Sequence, residues 1–160
     1  MPEEKRKVVL GIGNILNRDE GLGVHALKQM DTLIESMPEF EFLDGGVLGL
    51  NLLMVVEDCS HLLILDAVNA GQQPGTVIEL EKEQIPLYAG INLSQHQTTF
   101  QEVLGLAKIR GLLPEYLHLV GIQPLDISIG LGLSPEIEQA IQEMINRTVL
   151  VLEQWRKNYN

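Results

Sequence analysis

A short apolar run that breaks into a glycine-rich turn near the amino terminus constrains the fold of this chain more than any other feature. The run spans residues 8–10, and its β-branched side chains suit a buried strand. Gly11 and Gly13 follow and permit backbone angles and close approaches that a Cβ would prevent. A helical pattern begins soon afterwards, so the turn should lie at the carboxyl edge of a sheet. Open α/β sheets bind their ligands at that edge.

Two interpretations of this turn follow from its residues alone. A dinucleotide site would need a third glycine where Leu16 stands, and no G-K-[ST] sequence marks a phosphate-binding loop. The turn could instead be purely structural, with Asp19 and Glu20 placed near a helix amino terminus, where the helix dipole favours negative charge.

The hydrophobic periodicity along the chain alternates between strand and helix. Strands are predicted at 8–10, 40–43, 61–66, 76–80 and 116–122, and helices at 22–37, 48–56 and 100–111 and from Pro135 to near the end of the chain. This order predicts an α/β fold of three layers, α/β/α, with a twisted, mainly parallel central sheet and helices on both faces. The pattern leaves open whether the strand at 76–80 runs antiparallel, which would make the sheet mixed.

Composition sets the class of protein and its compartment. A chain of 160 residues with 45% hydrophobic content suits one domain, covering residues 1–160, with a substantial core. The net charge of −11 argues against a nucleic-acid partner. A single cysteine, Cys59, excludes an internal disulfide and favours a reducing cytoplasm. The charged amino terminus and the absence of a long apolar run predict a cytoplasmic protein without a signal peptide or membrane span.

Three polar residues are predicted to converge on one rim of the sheet. Glu20 follows the first strand, Asp66 ends a central strand, and His96 stands just before a later helix. Two carboxylates and an imidazole form a ligand set suited to a divalent ion such as nickel or zinc, with coordination positions left open. The residues alone also allow the carboxylates to be solvated surface charges and the histidine to be structural.

The other candidate residues have simpler explanations. His25, His61 and His118 are expected to be packed or to face solvent rather than to bind metal. Asp19 is expected to point away from Glu20 as a cap or turn acceptor. Asp44, beside a glycine pair at a strand end, fits either a turn or the rim of the site.

The chain resembles the hydrogenase maturation proteases in several blocks that follow in order. The turn resembles the opening signature G-x-G-N-x-L-x-x-D-E-G-x-G of that family, filled here by Gly11, Gly13, Asn14, Leu16, Asp19, Glu20, Gly21 and Gly23. A second block is similar at Gly45, Gly46, Gly49, Leu52 and Leu53, with Val47 where many members have threonine. The Asp-Ala end of a strand, the S-x-H before a helix and residues 121–124 and 133–135 extend the likeness over nearly the whole chain.

The resemblance implies an endopeptidase that removes the C-terminal extension of a nickel-iron hydrogenase large-subunit precursor after nickel insertion. It implies that Glu20, Asp66 and His96 bind the metal and are the catalytic residues. Nickel would be carried by the substrate, although zinc or another divalent ion could occupy the site in a crystal. The chain has no G-x-S-x-G, H-E-x-x-H or D-[ST]-G sequence, so peptide cleavage would use water activated by metal or carboxylate.

Two alternatives use the same three residues. One is a metallopeptidase or amidohydrolase with its own resident zinc-type ion. The other is a nickel-binding maturation chaperone that does not cleave its partner. Detection of a cleaved product and metal analysis of the purified protein distinguish these possibilities from a protease that reads nickel in its substrate.

Overall fold

The computed structural model describes residues 4–47, 49–87 and 99–158. Strands and helices alternate along most of this chain, as the periodicity predicts. The elements are β1 (Arg6–Ile12), a 3-10 helix (Arg18–Gly21), α1 (Leu22–Leu27), α2 (Asp31–Ser36), β2 (Glu41–Gly46), a 3-10 helix (Gly49–Leu52), α3 (Leu53–Asp58), β3 (Cys59–Ala67), β4 (Val77–Glu81), a 3-10 helix (Lys82–Gln84), α4 (Phe100–Ile109), β5 (Tyr116–Ile122) and α5 (Pro135–Lys157).

The strands form one mixed sheet in the order β2-β1-β3-β5-β4. β2, β1, β3 and β5 are parallel to one another, and β4 pairs with β5 in the antiparallel direction. β3 lies at the centre, and its residues 62–65 are fully buried. The predicted α/β class and mainly parallel sheet are confirmed, and the structure decides that the strand near 76–80 is the antiparallel one.

Alternate residues of the strands contribute to two cores, one on each face of the sheet. Val9, Leu63 and Val120 pack against α1, α2 and α5. Leu10, Leu62 and Leu119 pack against α3 and α4. Because adjacent strand residues point to opposite faces, a central strand must be apolar at every position. The helices therefore cover both faces, as a three-layer fold requires.

The helix predicted over 22–37 is wrong as a single element, because it breaks into α1 and α2. Between them Gln29 and Met30 donate backbone hydrogen bonds three residues back, at 3.0 and 3.1 Å, in a tight turn. The break shifts the buried face of α2. Leu33 is buried there, whereas Ile34, which the uninterrupted spacing places on the core face, is 41% exposed.

The second strand and the following helix also differ from the prediction. β2 continues through the glycine pair that was expected to stop it, because Gly46 pairs with Ile12 across a local irregularity and accepts a hydrogen bond from Gly13 N at 3.0 Å. Gly45 lies against Leu10 and leaves no room for a Cβ. The helix expected over 48–56 is a 3-10 turn followed by α3.

The terminal helix α5 confirms its predicted apolar face. That face is buried along its whole length, at Ile137, Ile141, Met144, Thr148, Leu152 and Trp155. The Thr148 hydroxyl, a buried polar group on that face, donates to the carbonyl of Met144 at 2.8 Å. In the part of the chain that the structure describes, no helix, α5 included, has the length and apolar character needed to cross a membrane.

The topology creates a switch point between β1 and β3. The chain leaves β1 through α1 and α2 on one face to reach β2, then returns through α3 on the other face to β3. The connections therefore diverge at the carboxyl ends of β1 and β3. Crevices at such points are the usual ligand sites of open α/β sheets.

Close packing of α1 on β3 requires glycine at the start of the helix. A Cβ added at Gly23 would lie 2.1 Å from the carbonyl oxygen of Leu65 and 2.8 Å from that of Ile12. We therefore expect Gly23→Ala to lower the free energy of unfolding by about 1–3 kcal/mol, because the helix must move off the sheet. In an isolated helix the same change would be stabilising by about 1 kcal/mol.

Chemical denaturation measures this effect, with Glu35→Ala on the exposed face of α2 as the control. An unchanged or higher stability for Gly23→Ala would contradict the close-packing explanation.

Candidate active site

The glycine-rich turn after β1 places Glu20 by direct backbone contact. A Cβ at Gly13 would lie 1.9 Å from the carbonyl oxygen of Glu20, so the 3-10 helix that carries Glu20 rests on the turn itself. The Asn14 side chain accepts a hydrogen bond from Leu16 N at 2.9 Å, which closes the turn between them. Gly13 and Asn14 of the signature are therefore backbone requirements that hold the Glu20 segment against the sheet.

Asp66 lies at the carboxyl end of β3, in a partly buried position. Loss of water raises its pKa to about 8, the hydrogen bond from Ala67 N at 2.8 Å opposes the rise, and the nearby charge of Glu20 adds to it. Burial therefore favours the protonated form of this carboxyl. A cation between the two carboxyl groups would favour the ionised form and displace that proton.

Glu20 and Asp66 line one cavity of about 330 Å³ at the switch point. The walls come from the ends of β1, β2 and β3 and from the first residues of α4, and include Ile12, Gly13, Gly46, Val47, Leu52, Ala67, Thr99, Phe100 and Gln101. Val47, the residue that departs from the family block, is part of the lining and half exposed. The structure thus brings two of the three predicted site residues to one opening at the carboxyl edge.

His96, the third predicted site residue, lies outside the described residues. Thr99, three positions later in the sequence, begins the segment that lines the cavity and caps α4 by accepting a hydrogen bond from Glu102 N at 3.3 Å. Among residues 4–47, 49–87 and 99–158, no three histidine, cysteine, aspartate or glutamate side chains lie close enough together to hold a metal ion. Within those ranges the site is a pair of carboxyl groups.

Asp19 points away from the cavity, as expected, and is fully buried. Its carboxylate accepts four hydrogen bonds, from Leu125 N at 3.0 Å, Asp126 N at 2.9 Å, Ser134 N at 2.7 Å and the Ser134 hydroxyl at 2.8 Å. Burial alone would raise the pKa of Asp19, but these bonds outweigh it and lower the pKa below the usual value. Asp19 therefore fixes the Glu20 segment to the loop between β5 and α5.

The Ser134 hydroxyl serves this contact and makes no capping bond to α5, although Ser134 occupies the predicted N-cap position. Gln123 has a similar structural role that the sequence analysis missed. It is buried, and its side-chain oxygen accepts hydrogen bonds from Ala70 N at 2.8 Å and Gln72 N at 3.2 Å. A polar residue directly after the buried apolar end of β5 was the available signal.

The other reactive side chains lie away from this cavity. His61, near the start of β3, stacks on Tyr116 at 4.3 Å, and burial lowers its pKa to about 4. His118 Nε2 lies 2.7 Å from Glu79 Oε1. His25, on α1, is partly buried. Burial raises the pKa of Cys59 to about 12, which makes it a packed thiol rather than a nucleophile.

Comparison with known proteins identifies the fold and the family of this chain. The family model described as hydrogenase maturation protease matches residues 24–150. The chain belongs to the hydrogenase maturation protease family. It is 40% identical over 156 residues to the hydrogenase expression/formation protein HupD of Rhizobium leguminosarum bv. viciae, covering 96% of this chain and 77% of that protein.

Two Escherichia coli proteins extend the comparison. The hydrogenase 2 maturation protease of strain K12 is 33% identical over 150 residues, which cover 93% of this chain and 92% of that protein. The structure of the hydrogenase maturating endopeptidase HybD superposes with a TM-score of 0.79 at 32% identity, covering 93% of each chain. The protein is therefore a peptidase of this family.

The hydrogen bonds to Asp19 predict a specific stability defect in this maturation protease. Asp19→Asn replaces one acceptor oxygen by a donor, so at least one buried N–H or O–H donor loses its partner. We expect a loss of about 2–3 kcal/mol in the free energy of unfolding at pH 7.

The defect should also depend on pH. Because folding lowers the pKa of Asp19, its contribution is complete above the unfolded-state pKa of about 4 and disappears as the pH falls through the lower folded-state value. Urea denaturation of both proteins should show a constant difference between pH 5 and 8 that shrinks below pH 4. Asp126→Asn, in the exposed part of the same loop, is the control with a smaller effect. A pH-independent difference would contradict this account.

Proposed function

We propose that this protease removes the C-terminal extension of a nickel-iron hydrogenase large-subunit precursor after nickel insertion. We also propose that it recognises its substrate by binding the nickel that the precursor carries. Glu20 and Asp66 would bind that nickel together with His96. The observation that carries the proposal is the meeting of Glu20 and Asp66 in one cavity at the switch point of the sheet. The partner is a soluble precursor met in the cytoplasm.

The chemistry of the carboxyl pair supports a metal ion as the group it recognises. Burial raises the pKa of Asp66, and the charge of Glu20 adds to the rise, because two carboxyl groups near each other repel when both are ionised. A divalent ion removes that repulsion and gains two oxygen ligands. Oxygen and imidazole donors without a thiolate leave coordination positions free, so nickel can keep the ligands that the precursor supplies.

Peptide cleavage at this cavity would use water as the nucleophile. The described lining residues include one hydroxyl, on Thr99, and that hydroxyl caps α4. The packed Cys59 thiol belongs to the core under α3 and α4. Nickel bound next to the scissile peptide would polarise its carbonyl, and one of the site carboxylates would accept the proton from the attacking water.

His96 completes the ligand set in this proposal. Its support is the S-x-H segment of the sequence and the position of Thr99, three residues further on, in the wall of the cavity. An imidazole would provide the one nitrogen donor and would distinguish nickel from the hard cations that prefer oxygen alone. His96→Ala should therefore abolish processing.

Nickel-dependent cleavage tests the proposed function. Nickel-free and nickel-loaded large-subunit precursors are incubated with the same enzyme, and release of the C-terminal peptide is followed by mass spectrometry. We expect release from the loaded precursor alone. Equal cleavage of both forms would refute substrate-borne nickel as the switch, whereas tightly held zinc in the purified enzyme after chelation would favour a resident-metal peptidase.

The carboxyl pair can be tested without unfolding the protein. Glu20→Gln and Asp66→Asn should each lower processing of the loaded precursor by at least about a hundredfold, since each loses a charged ligand or proton acceptor. Thermal stability should be preserved, because both side chains border the cavity. Glu35→Gln and Asp31→Asn, on exposed positions of α2, are the matched controls. Normal processing by either site variant would remove that residue from the mechanism.

A further inference from the structure

Five large aliphatic side chains stand exposed on the two loops beside the Glu20 segment. We define this apolar rim as Leu16, Leu125, Ile127, Ile129 and Leu131, which are 57, 54, 56, 86 and 75% exposed. Single exposed hydrophobic residues are common on any protein, but neighbouring ones that form a patch mark a contact surface. The rim occurs on a chain with a net charge of −11.

The rim alternates in a way that presents its apolar side chains outward. From Leu125 to Leu131 every second residue is an exposed leucine or isoleucine. The residues between them make internal contacts: the Asp126 side chain accepts hydrogen bonds from the backbone N and hydroxyl of Ser128 at 2.9 and 2.6 Å, and Gly130 lies under the Arg18 guanidinium. Ser128 is exposed and the Asp126 side chain is 46% exposed, so the loop presents its apolar side chains beside polar ones that hydrogen-bond to each other.

Backbone hydrogen bonds hold the two loops together. Gly130 N donates to Leu16 O at 2.8 Å, and Arg18 N donates to Gly130 O at 3.1 Å. Asp19 N donates to Asp126 O at 3.0 Å, beside the four bonds that the buried Asp19 carboxylate accepts. The side chains of the rim are thus carried on a fixed backbone, and little conformational entropy is lost when a partner covers them.

Backbone contacts link the rim to Glu20, which lines the cavity. Glu20 N donates to Asn17 O at 3.1 Å, and Asn17 forms a β-bridge with Gly130, between Ile129 and Leu131. A protein whose C-terminal segment lies in the cavity beside Glu20 would therefore have the rim close to the rest of its surface. Arg18 Nε and Asp126 Oδ2 lie 3.7 Å apart at this place, so their opposite charges partly offset each other.

We infer that the apolar rim is a docking site for an apolar surface on the folded body of the large-subunit precursor, separate from the segment that is cleaved. This inference rests on the proposed function. The rim gives the enzyme a second contact with its substrate. Through this contact the enzyme recognises the precursor as a folded protein. The cavity then needs to engage only the metal and the scissile segment.

Steady-state kinetics with intact nickel-loaded precursor test the rim. Ile129→Ser combined with Leu131→Ser should raise KM about tenfold or more while kcat changes little, because the lost contacts lie outside the reacting groups. Ile127→Ser alone should raise KM by a smaller factor. The matched control combines Ile109→Ser with Leu150→Ser, which are 68 and 66% exposed and lie in the later parts of α4 and α5.

The outcomes separate the rim from the proposed function. If the wild-type enzyme does not process the loaded precursor, the proposed function fails. If it does and the rim variants keep the wild-type KM, the rim inference is overturned. Light scattering of the wild-type and rim variants provides a further test, since a wild-type dimer that the rim substitutions convert to monomer would show that a second copy of this chain occupies the rim.

Discussion

The backbone contact between the start of α1 and the carboxyl end of β3 is the constraint on which the site depends. Gly23 lies against the Leu65 carbonyl, and Gly13 lies against the Glu20 carbonyl, at distances that exclude any side chain. These contacts bring the segment after β1 to the end of β3, where Asp66 stands. A glycine signature that could indicate phosphate binding serves here to place one carboxyl group beside another.

Two carboxyl groups near the carboxyl edge of the sheet have different surroundings, which give one a structural role and the other a chemical one. Asp19 is buried with four hydrogen-bond donors, so its pKa is lowered and its charge fixes the loop that carries the apolar rim. Asp66 has lost water with a single backbone donor and a carboxylate neighbour, so its pKa is raised. The first is satisfied within the fold, whereas the second would be stabilised in its ionised form by a cation, as the proposed function requires.

Much of this arrangement could be predicted from the sequence, because it follows from periodicity. The apolar run 61–66 indicates a central strand, and Glu20 and Asp66 each follow a strand, so both belong at the carboxyl edge. The break between α1 and α2 could not be predicted, since Met30 and Leu33 keep an approximately helical apolar spacing across it. The use of the Ser134 hydroxyl by Asp19, 115 residues away, is a tertiary contact that no local pattern encodes.

The central claim is that the carboxyl groups of the cavity become ligands of the nickel held by the precursor. Nickel-edge X-ray absorption of the loaded precursor tests this claim most directly. Spectra are recorded for the precursor alone, for the precursor mixed with wild-type enzyme and frozen within one turnover, and for the precursor mixed with a variant that combines Glu20→Gln and Asp66→Asn. We predict additional oxygen or nitrogen ligands on nickel with the wild-type enzyme and fewer or none with the double variant. A nickel spectrum that is unchanged by the wild-type enzyme would contradict the account.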